Sequence, residues 1–216
     1  MLEKLKYKVW EANRRLAKLG LAKFDWGSVS CADRDSKMFI IKPHGIDFDE
    51  LLPENFAVID FDGNLIEGDN PSSDWKTHLA LYKCFDISAV AHSYSDAAMG
   101  FAAANRPIPV FNATHARYFK GDVPATRLLT KEEIESDYDI NIGKIIKEAF
   151  TSRNASEIPA VIVSGHEPYV WGHTIDEALK NAAVLEAVAK SAISALTLSP
   201  GIAPISKTLM EFLYKM

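Results

Sequence analysis

The sequence is poor in the features that mark several protein classes. It has two cysteines, Cys31 and Cys84, in 216 residues, too few for a disulfide framework and typical of a reducing compartment. No stretch approaches the roughly 20 apolar residues of a membrane span. The N-terminal residues 1–16 carry charges every few positions, so they contain no signal-peptide core. These absences predict a soluble, cytoplasmic protein without a membrane partner.

Positively charged residues are fewer than negatively charged ones. The chain has 24 Lys and Arg against 29 Asp and Glu, a formal net charge of −5, and no basic stripe interleaved with aromatics, so no nucleic-acid surface is expected. What is present is apolar material: 48% of the residues are hydrophobic, enough at this length for one sizeable core. No repeat, linker or low-complexity segment divides the chain, so we expect a single domain over residues 1–216.

Apolar periodicity switches between helix-like and strand-like along the chain. The predicted helices cover residues 2–19, 75–85, 95–104, 131–151 and 176–196; the predicted strands cover 38–42, 56–61, 87–92, 109–113 and 159–165. Residues 115–124 are predicted to be a loop. Thr174 and Glu177 form a capping-box pattern before the last helix. Strands and helices that share one core predict an α/β protein with two or three layers.

Two histidines follow predicted strands, where a scaffold presents functional groups. His92 follows ISAVA and His166 follows PAVIVSG. One such histidine alone would be interpreted as a hydrogen-bonded residue at the core edge, but two of them and Asp74, in the loop NPSSD, favour a shared site. Tyr94 would share a strand face with His92, at the position where a second histidine would give a common metal-binding pair. An altered metal site and a simple core histidine both remain open at this point.

Two turns are candidates for anion binding. Ser72 and Ser73 precede a predicted helix, where free backbone N–H groups and hydroxyls can hold an anion, although serine and aspartate there are also ordinary N-caps. Lys42, in the turn KPHG (42–45), either meets an anion or is a solvated strand end.

A basic loop is a third candidate. His115 lies in it with Arg117 and Lys120. Such a loop suits a substrate or subunit contact, and equally a solvated surface.

Together these segments resemble the L-ribulose-5-phosphate 4-epimerase branch of the class II aldolase/epimerase family, from the N-terminal helix to about residue 200. The motifs that carry the resemblance, besides the His92 region, are WGSVS (26–30), IKPHG (41–45), NPSSD (70–74), ATHARYF (113–119), PATR (124–127) and HEPYVWG (166–172). The resemblance implies a three-layer α/β/α fold around a mixed, mostly antiparallel sheet. It also implies a homotetramer with interfacial active sites, a sugar-phosphate substrate, and Zn²⁺ or another divalent ion such as Mn²⁺, Fe²⁺ or Co²⁺.

The resemblance also implies residue roles. The family's metal positions hold Asp74, His92 and His166, with Tyr94 where a further histidine ligand would stand. Two imidazoles and one carboxylate still suit a metal with open positions. Positions associated with catalysis are those of Asp74, His115 and Arg117, and those associated with substrate binding are Ser28, Lys42, His44, Gly45, Ser72 and Ser73.

Several of these positions depart from the family pattern. Ser28 replaces an asparagine, His44 a small hydroxyl residue, and Glu167 a glycine beside the third histidine. Arg117 stands where the epimerases place a proton-transferring aspartate; arginine stays protonated and cannot be a base, but its planar fork suits a carboxylate or phosphate. A C-terminal tyrosine of the family has no clear equivalent, and Tyr214 is not assigned to it.

The implied activity is epimerisation of a pentulose phosphate by retro-aldol cleavage and re-addition. The departures above leave open a shift to a related substrate. Two alternatives are retained. One is a class II aldolase that stops after cleavage of a phosphorylated sugar; the other is a catalytically impaired member that binds sugar phosphates or serves as an oligomeric partner.

Overall fold

The computed structural model describes residues 2–216, in which seven strands form one sheet. The strands are β1 (Ser28–Asp33), β2 (Met38–Ile41), β3 (Ala57–Asp60), β4 (Leu65–Glu67), β5 (Ala89–His92), β6 (Ala160–Ile162) and β7 (Pro168–Gly172). Their order is β4-β3-β2-β1-β5-β7-β6, and each neighbouring pair is antiparallel. An isolated parallel bridge joins Ala125 to Ile162 at the β6 edge.

Helices cover both faces of this sheet. They are α1 (Leu2–Lys18), α2 (Trp75–Cys84), α3 (Asp96–Ala103), α4 (Ala113–Tyr118), α5 (Lys131–Ser136), α6 (Tyr138–Ala149), α7 (Ile175–Leu198) and α8 (Lys207–Tyr214), with a 3₁₀ turn at Pro53–Asn55. Strand β1 shows the layering: Ser30 bonds to Tyr82 of α2, whereas Cys31, pointing the opposite way, shares a surface cavity with Leu5 and Lys8 of α1. Because α7 packs on α1 and α6 on α2, the three-layer α/β/α prediction is confirmed.

The α2–α6 contact is unusually close. A Cβ added at Gly143 of α6 would lie 2.5 Å from the Cβ of Ala80 on α2, so only glycine fits there. This contact holds α2 against the sheet, and α2 carries part of the site described below.

Helix ends follow the expected capping chemistry with one difference. The Thr174 hydroxyl accepts a hydrogen bond from the Glu177 amide at 3.1 Å, as predicted. The Glu177 carboxylate, however, accepts from the His173 amide, one residue before the cap. Asp137 caps α6 through the Ile140 amide and thereby divides the predicted helix 131–151 into α5 and α6.

The segment 109–124 corrects two predictions. Residues 109–113 are not a strand: Ile108 forms a single bridge to Val123, and Pro107 and Pro109 lack the N–H groups that a ladder needs. The predicted loop 115–124 includes most of α4, which begins because the Asn112 side chain accepts from the His115 amide at 2.9 Å.

One helix is more apolar than the sequence prediction allowed. Among residues 2–216, α7 alone is long enough, at 24 residues, and contains an 18-residue window apolar enough, with a mean hydropathy of 1.2, to cross a membrane. It packs against β5, β7 and α3, so the buried face of a core helix accounts for its apolar composition.

Candidate active site

A row of three side chains crosses the centre of the sheet. Ser28 on β1 pairs with His92 on β5, and His92 pairs with Tyr169 on β7. Directly paired residues point to the same face, here the face covered by α2. The rings of His92 and Tyr169 stack in parallel, with centroids 4.3 Å apart and an interplanar angle of 2°. Strand register therefore fixes the orientation of His92.

Asp74 enters this row from the N-cap position, directly before α2. Its side chain makes no capping bond to the helix, so the N-cap interpretation does not describe it. Instead Oδ2 accepts hydrogen bonds from the Ser28 hydroxyl at 2.7 Å and from Nδ1 of His92 at 2.8 Å, and it lies 3.3 Å from Nε2 of His78. The carboxylate is 5% exposed, so these partners replace water.

Asp74 and His92 form an ionised pair. Burial alone would raise the pKa of Asp74, but His78 and His92 hold that pKa well below its usual value. Burial would likewise lower the pKa of His92, yet the hydrogen bond to Asp74 and the nearby negative charge of Glu167 outweigh it and raise the pKa to about 9. A carboxylate that fixes one imidazole nitrogen leaves the other nitrogen, once a metal displaces its proton, available as a ligand.

His166 and Glu167 approach the free side of His92. A turn after β6 brings them there: the His166 amide donates to the Val163 carbonyl at 3.0 Å, and Gly165 has φ +72°, a conformation that favours glycine. Ligand atoms of His92, His166 and Glu167 all lie within 4.8 Å of one another. Burial would raise the pKa of Glu167, but the neighbouring His166 and His92 lower it to about 2.

The cluster fits a divalent metal ion. Nε2 of His92 and Nδ1 of His166 are buried and have no hydrogen-bond partner among the described residues, and buried polar atoms of this kind call for an unseen partner. Imidazole nitrogens with a carboxylate are the donor set of Zn²⁺, Fe²⁺ and Mn²⁺ sites. The residues present therefore match the requirements of such an ion.

Of the predicted metal set, His92 and His166 come together, whereas Asp74 bonds to the far nitrogen of His92 and is not in the group within 4.8 Å. Glu167 takes the third place. Sequence analysis identified Glu167 only as a departure from the family pattern. The signal that could have indicated a ligand is the pair His166-Glu167 directly after a predicted strand.

Tyr94 lies beside the cluster. Its amide donates to the Leu21 carbonyl at 2.8 Å, and its ring centroid is 5.6 Å from those of both His92 and Trp26. Burial and the neighbouring charge of Glu167 raise the pKa of Tyr94 to about 12. The phenol is therefore neutral at physiological pH in the metal-free protein.

The two candidate anion turns are joined in the structure. The Ser72 amide donates to the Lys42 carbonyl, and the His44 amide donates to the Asn70 carbonyl, both at 2.9 Å. Ser72 is buried, while Ser73, His44 and Gly45 are exposed. Residues 42–45 and 70–73 thus form one rim, with Asp74 directly following it.

Lys42 is the buried cation of this rim. Its side chain is 1% exposed, and its ammonium group donates to the Pro43 carbonyl at 3.2 Å. Burial lowers the pKa of Lys42, against the opposing effect of Asp74. The interpretation as a solvated strand end is wrong, because the side chain is enclosed.

His115 and Arg117 lie on α4. Nε2 of His115 donates to the Gly121 carbonyl at 3.0 Å, and burial lowers the pKa of His115 to about 4. Arg117 is exposed. No hydrogen bond or ion pair among the described residues connects either side chain to Asp74 or the histidine cluster.

The fold and site place the chain in a known enzyme family. Residues 7–193 match the family model described as class II aldolase and adducin N-terminal domain, and the chain belongs to that family. This confirms the resemblance that the motifs carried. Class II aldolase family members typically depend on a metal ion and bind sugar phosphates.

Among its relatives, the chain is 40% identical over 212 residues to the L-ribulose-5-phosphate 4-epimerase UlaF of Salmonella paratyphi A. The aligned residues cover 97% of this chain and 93% of that protein. The protein of that name from Salmonella typhi is equally similar. These two relatives are thus named as enzymes of the isomerase class.

Solved structures agree on the fold. An L-fuculose 1-phosphate aldolase superposes with a TM-score of 0.81 and 26% identity, covering 98% of this chain and 95% of that one. The L-fuculose 1-phosphate aldolase of Glaciozyma antarctica, at 20% identity and a TM-score of 0.78, covers 99% and 81% and bears on the fold alone.

Proposed function

We propose that the protein is a metal-dependent 4-epimerase that interconverts L-ribulose 5-phosphate and D-xylulose 5-phosphate. The observation that carries the proposal is the buried Asp74–His92 pair with partnerless imidazole nitrogens on His92 and His166, in a chain 40% identical over 97% of its length to proteins named as this epimerase.

The residues divide the proposed chemistry between two neighbouring regions. The rim 42–45 and 70–73 binds the phosphate through the ammonium group of Lys42 and the hydroxyls of Ser72 and Ser73. Retro-aldol cleavage places negative charge on the substrate's enediolate oxygens, and a divalent metal, when bound, supplies Lewis-acid stabilisation of such charge. Asp74 keeps the Nδ1 proton of His92 in place, and Ser28 keeps Asp74 oriented.

We propose further that the enzyme is one catalytic domain acting as a cytoplasmic homotetramer. The placement of α4 supports this assembly, since within residues 2–216 no hydrogen bond or ion pair joins His115 or Arg117 to the Asp74 cluster of their own chain. In a tetramer with interfacial active sites, a second copy would bring α4 to the substrate.

Product analysis tests the reaction. Metal-loaded protein incubated with L-ribulose 5-phosphate is expected to yield D-xylulose 5-phosphate, and chelation is expected to abolish that product. Accumulation of cleavage products instead would identify an aldolase, the alternative that the similarity to L-fuculose 1-phosphate aldolase favours. Metal-loaded protein that binds the substrate but forms no product would indicate the non-catalytic alternative.

Arg117→Ala tests whether substrate specificity has shifted. Arg117 is exposed, and no ion pair to it occurs among the described residues; its guanidinium suits a second acid group on the substrate. For a phosphorylated sugar acid we expect KM to rise about 10-fold or more, the loss of one charged hydrogen bond, with the KM for L-ribulose 5-phosphate unchanged.

The exposed Arg106 supplies a matched control, Arg106→Ala, which should leave both KM values unchanged. Unchanged affinity of Arg117→Ala for the doubly anionic ligand would reject the second-anion role. A smaller oligomer on size-exclusion chromatography would assign Arg117 to an intersubunit salt bridge instead.

A further inference from the structure

We propose that Glu167 is the carboxylate ligand of the metal site, together with Nε2 of His92 and an imidazole nitrogen of His166, and that Asp74 positions His92 without binding the ion. The inference rests on the proposed metal dependence and replaces the metal set that the family resemblance implies.

The distances between donor atoms carry the first step. Oε2 of Glu167 lies 2.7 Å from Nδ1 of His166 and 3.6 Å from Nε2 of His92. Donor atoms about 2.0–2.1 Å from a common metal lie about 3 Å apart, so these spacings are those of neighbouring ligands. Nδ1 of His166 makes this short contact with Glu167 without hydrogen-bond geometry.

The position of Asp74 carries the second step. Its Oδ2 accepts from Ser28 and from Nδ1 of His92, so His92 presents only Nε2 to the cluster. A carboxylate bonded to the far nitrogen of a metal-binding histidine fixes the ring and its tautomer. Oδ1 of Asp74 is also buried without a partner, and this atom makes Asp74 the rival ligand that an experiment must separate from Glu167.

The sequence supplies the third step. Tyr94 occupies the position at which the resemblance places a further histidine, and Glu167 occupies that of a glycine. Relative to the pattern that the resemblance implies, one donor is absent at position 94 and another is present at position 167. Two histidines and one carboxylate leave positions open for substrate oxygens, the arrangement of many catalytic metal sites.

Cobalt binding to the full-length, metal-stripped protein tests the assignment, because Co²⁺ reports its ligands through its visible spectrum as well as its affinity. Glu167→Gln is expected to weaken Co²⁺ binding by about 100-fold or more and to shift the absorption bands. Asp74→Asn is expected to weaken binding by about 10-fold, as loss of a ligand's supporting partner does, with the bands unmoved.

Glu157→Gln is the matched control, since Glu157 is a partly exposed glutamate that pairs with Lys120 away from the cluster; it should bind Co²⁺ as the wild type does. Bands that move in Asp74→Asn but not in Glu167→Gln would overturn the proposal in favour of Asp74.

A second measurement on the wild type does not depend on the folding of any variant. In crystals soaked with Co²⁺, anomalous density is expected within about 2.2 Å of a Glu167 oxygen; density bonded to Asp74 with Glu167 turned away would overturn the assignment. Failure of the proposed function is distinguishable, because Co²⁺ bound by Glu167 without D-xylulose 5-phosphate formation refutes the activity and leaves the ligand set intact.

Discussion

Asp74→Asn is expected to lower epimerase turnover on the order of 1,000-fold, within the range that loss of a proton-handling group produces. Asparagine has the shape of aspartate but no charge. Its amide oxygen can still accept the hydrogen bonds from Nδ1 of His92 and from the Ser28 hydroxyl, but it supplies no negative charge to hold the proton on Nδ1. The loss should therefore appear in kcat at saturating metal.

A second readout separates this role from simple destabilisation. In the metal-free wild type, Asp74 and Glu167 raise the pKa of His92 to about 9 against the effect of burial. Without the Asp74 charge, burial is opposed by Glu167 alone, so the pKa of His92 in Asp74→Asn should fall. An NMR titration of the imidazole resonances measures the change.

The control is Asp69→Asn, a change in the same loop at an exposed carboxylate that bonds to Asn55. Its turnover should stay within about 2-fold of the wild type, as for surface substitutions generally. Asp74→Asn turnover within a few-fold of the wild type, at saturating metal, would refute the positioning role of Asp74.

Much of the fold was predictable because burial and apolar character coincide in most elements. Strands β2, β3 and β5 follow apolar runs, and α1 and α7 follow helical periodicity. Strand β1 was missed for a physical reason: Ser28 and Ser30 are fully buried, but each finds a partner on α2, so polar residues occupy positions where a strand pattern calls for apolar ones. That compensation depends on α2 and is invisible locally.

Strand β7 was missed for a related reason. Its residues, Pro168–Gly172, are all buried and so show no alternation of apolar and polar positions. The proline and glycine at its two ends resemble turn signals. A short strand buried on both faces cannot be distinguished from a loop or a helix turn by periodicity.

The candidate site was predictable in part. His92 and Asp74 stood out because His92 ends a predicted strand and Asp74 directly precedes a predicted helix. The positions of β5 and of the start of α2 in the fold bring the two residues together. Glu167 did not stand out, since its approach to His92 depends on the turn at Gly165 and on the pairing of β5 with β7. Loop position is set by such non-local contacts, which a motif does not contain.

His115 is expected to make stability depend on pH between about 6.5 and 4. The folded protein keeps this histidine neutral, because burial lowers its pKa from 6.5 to about 4 despite the Gly121 carbonyl and Asp122. The unfolded chain protonates it below pH 6.5, so stability is fully present above that pH and is lost as the pH falls toward 4. At about 1.4 kcal/mol for each pKa unit, the loss is about 3 kcal/mol.

The difference between wild type and His115→Gln isolates this effect, because every other titrating group is common to both. Urea unfolding at pH 7, 5.5 and 4, at one protein concentration since an oligomer's stability depends on it, should show the wild type losing about 3 kcal/mol more than the variant. His173→Gln, at an exposed histidine, should follow the wild-type curve. Parallel curves for wild type and His115→Gln would mean that His115 takes up its proton in the folded protein as readily as in the unfolded chain, contrary to its enclosure by α4 and the Gly121 carbonyl.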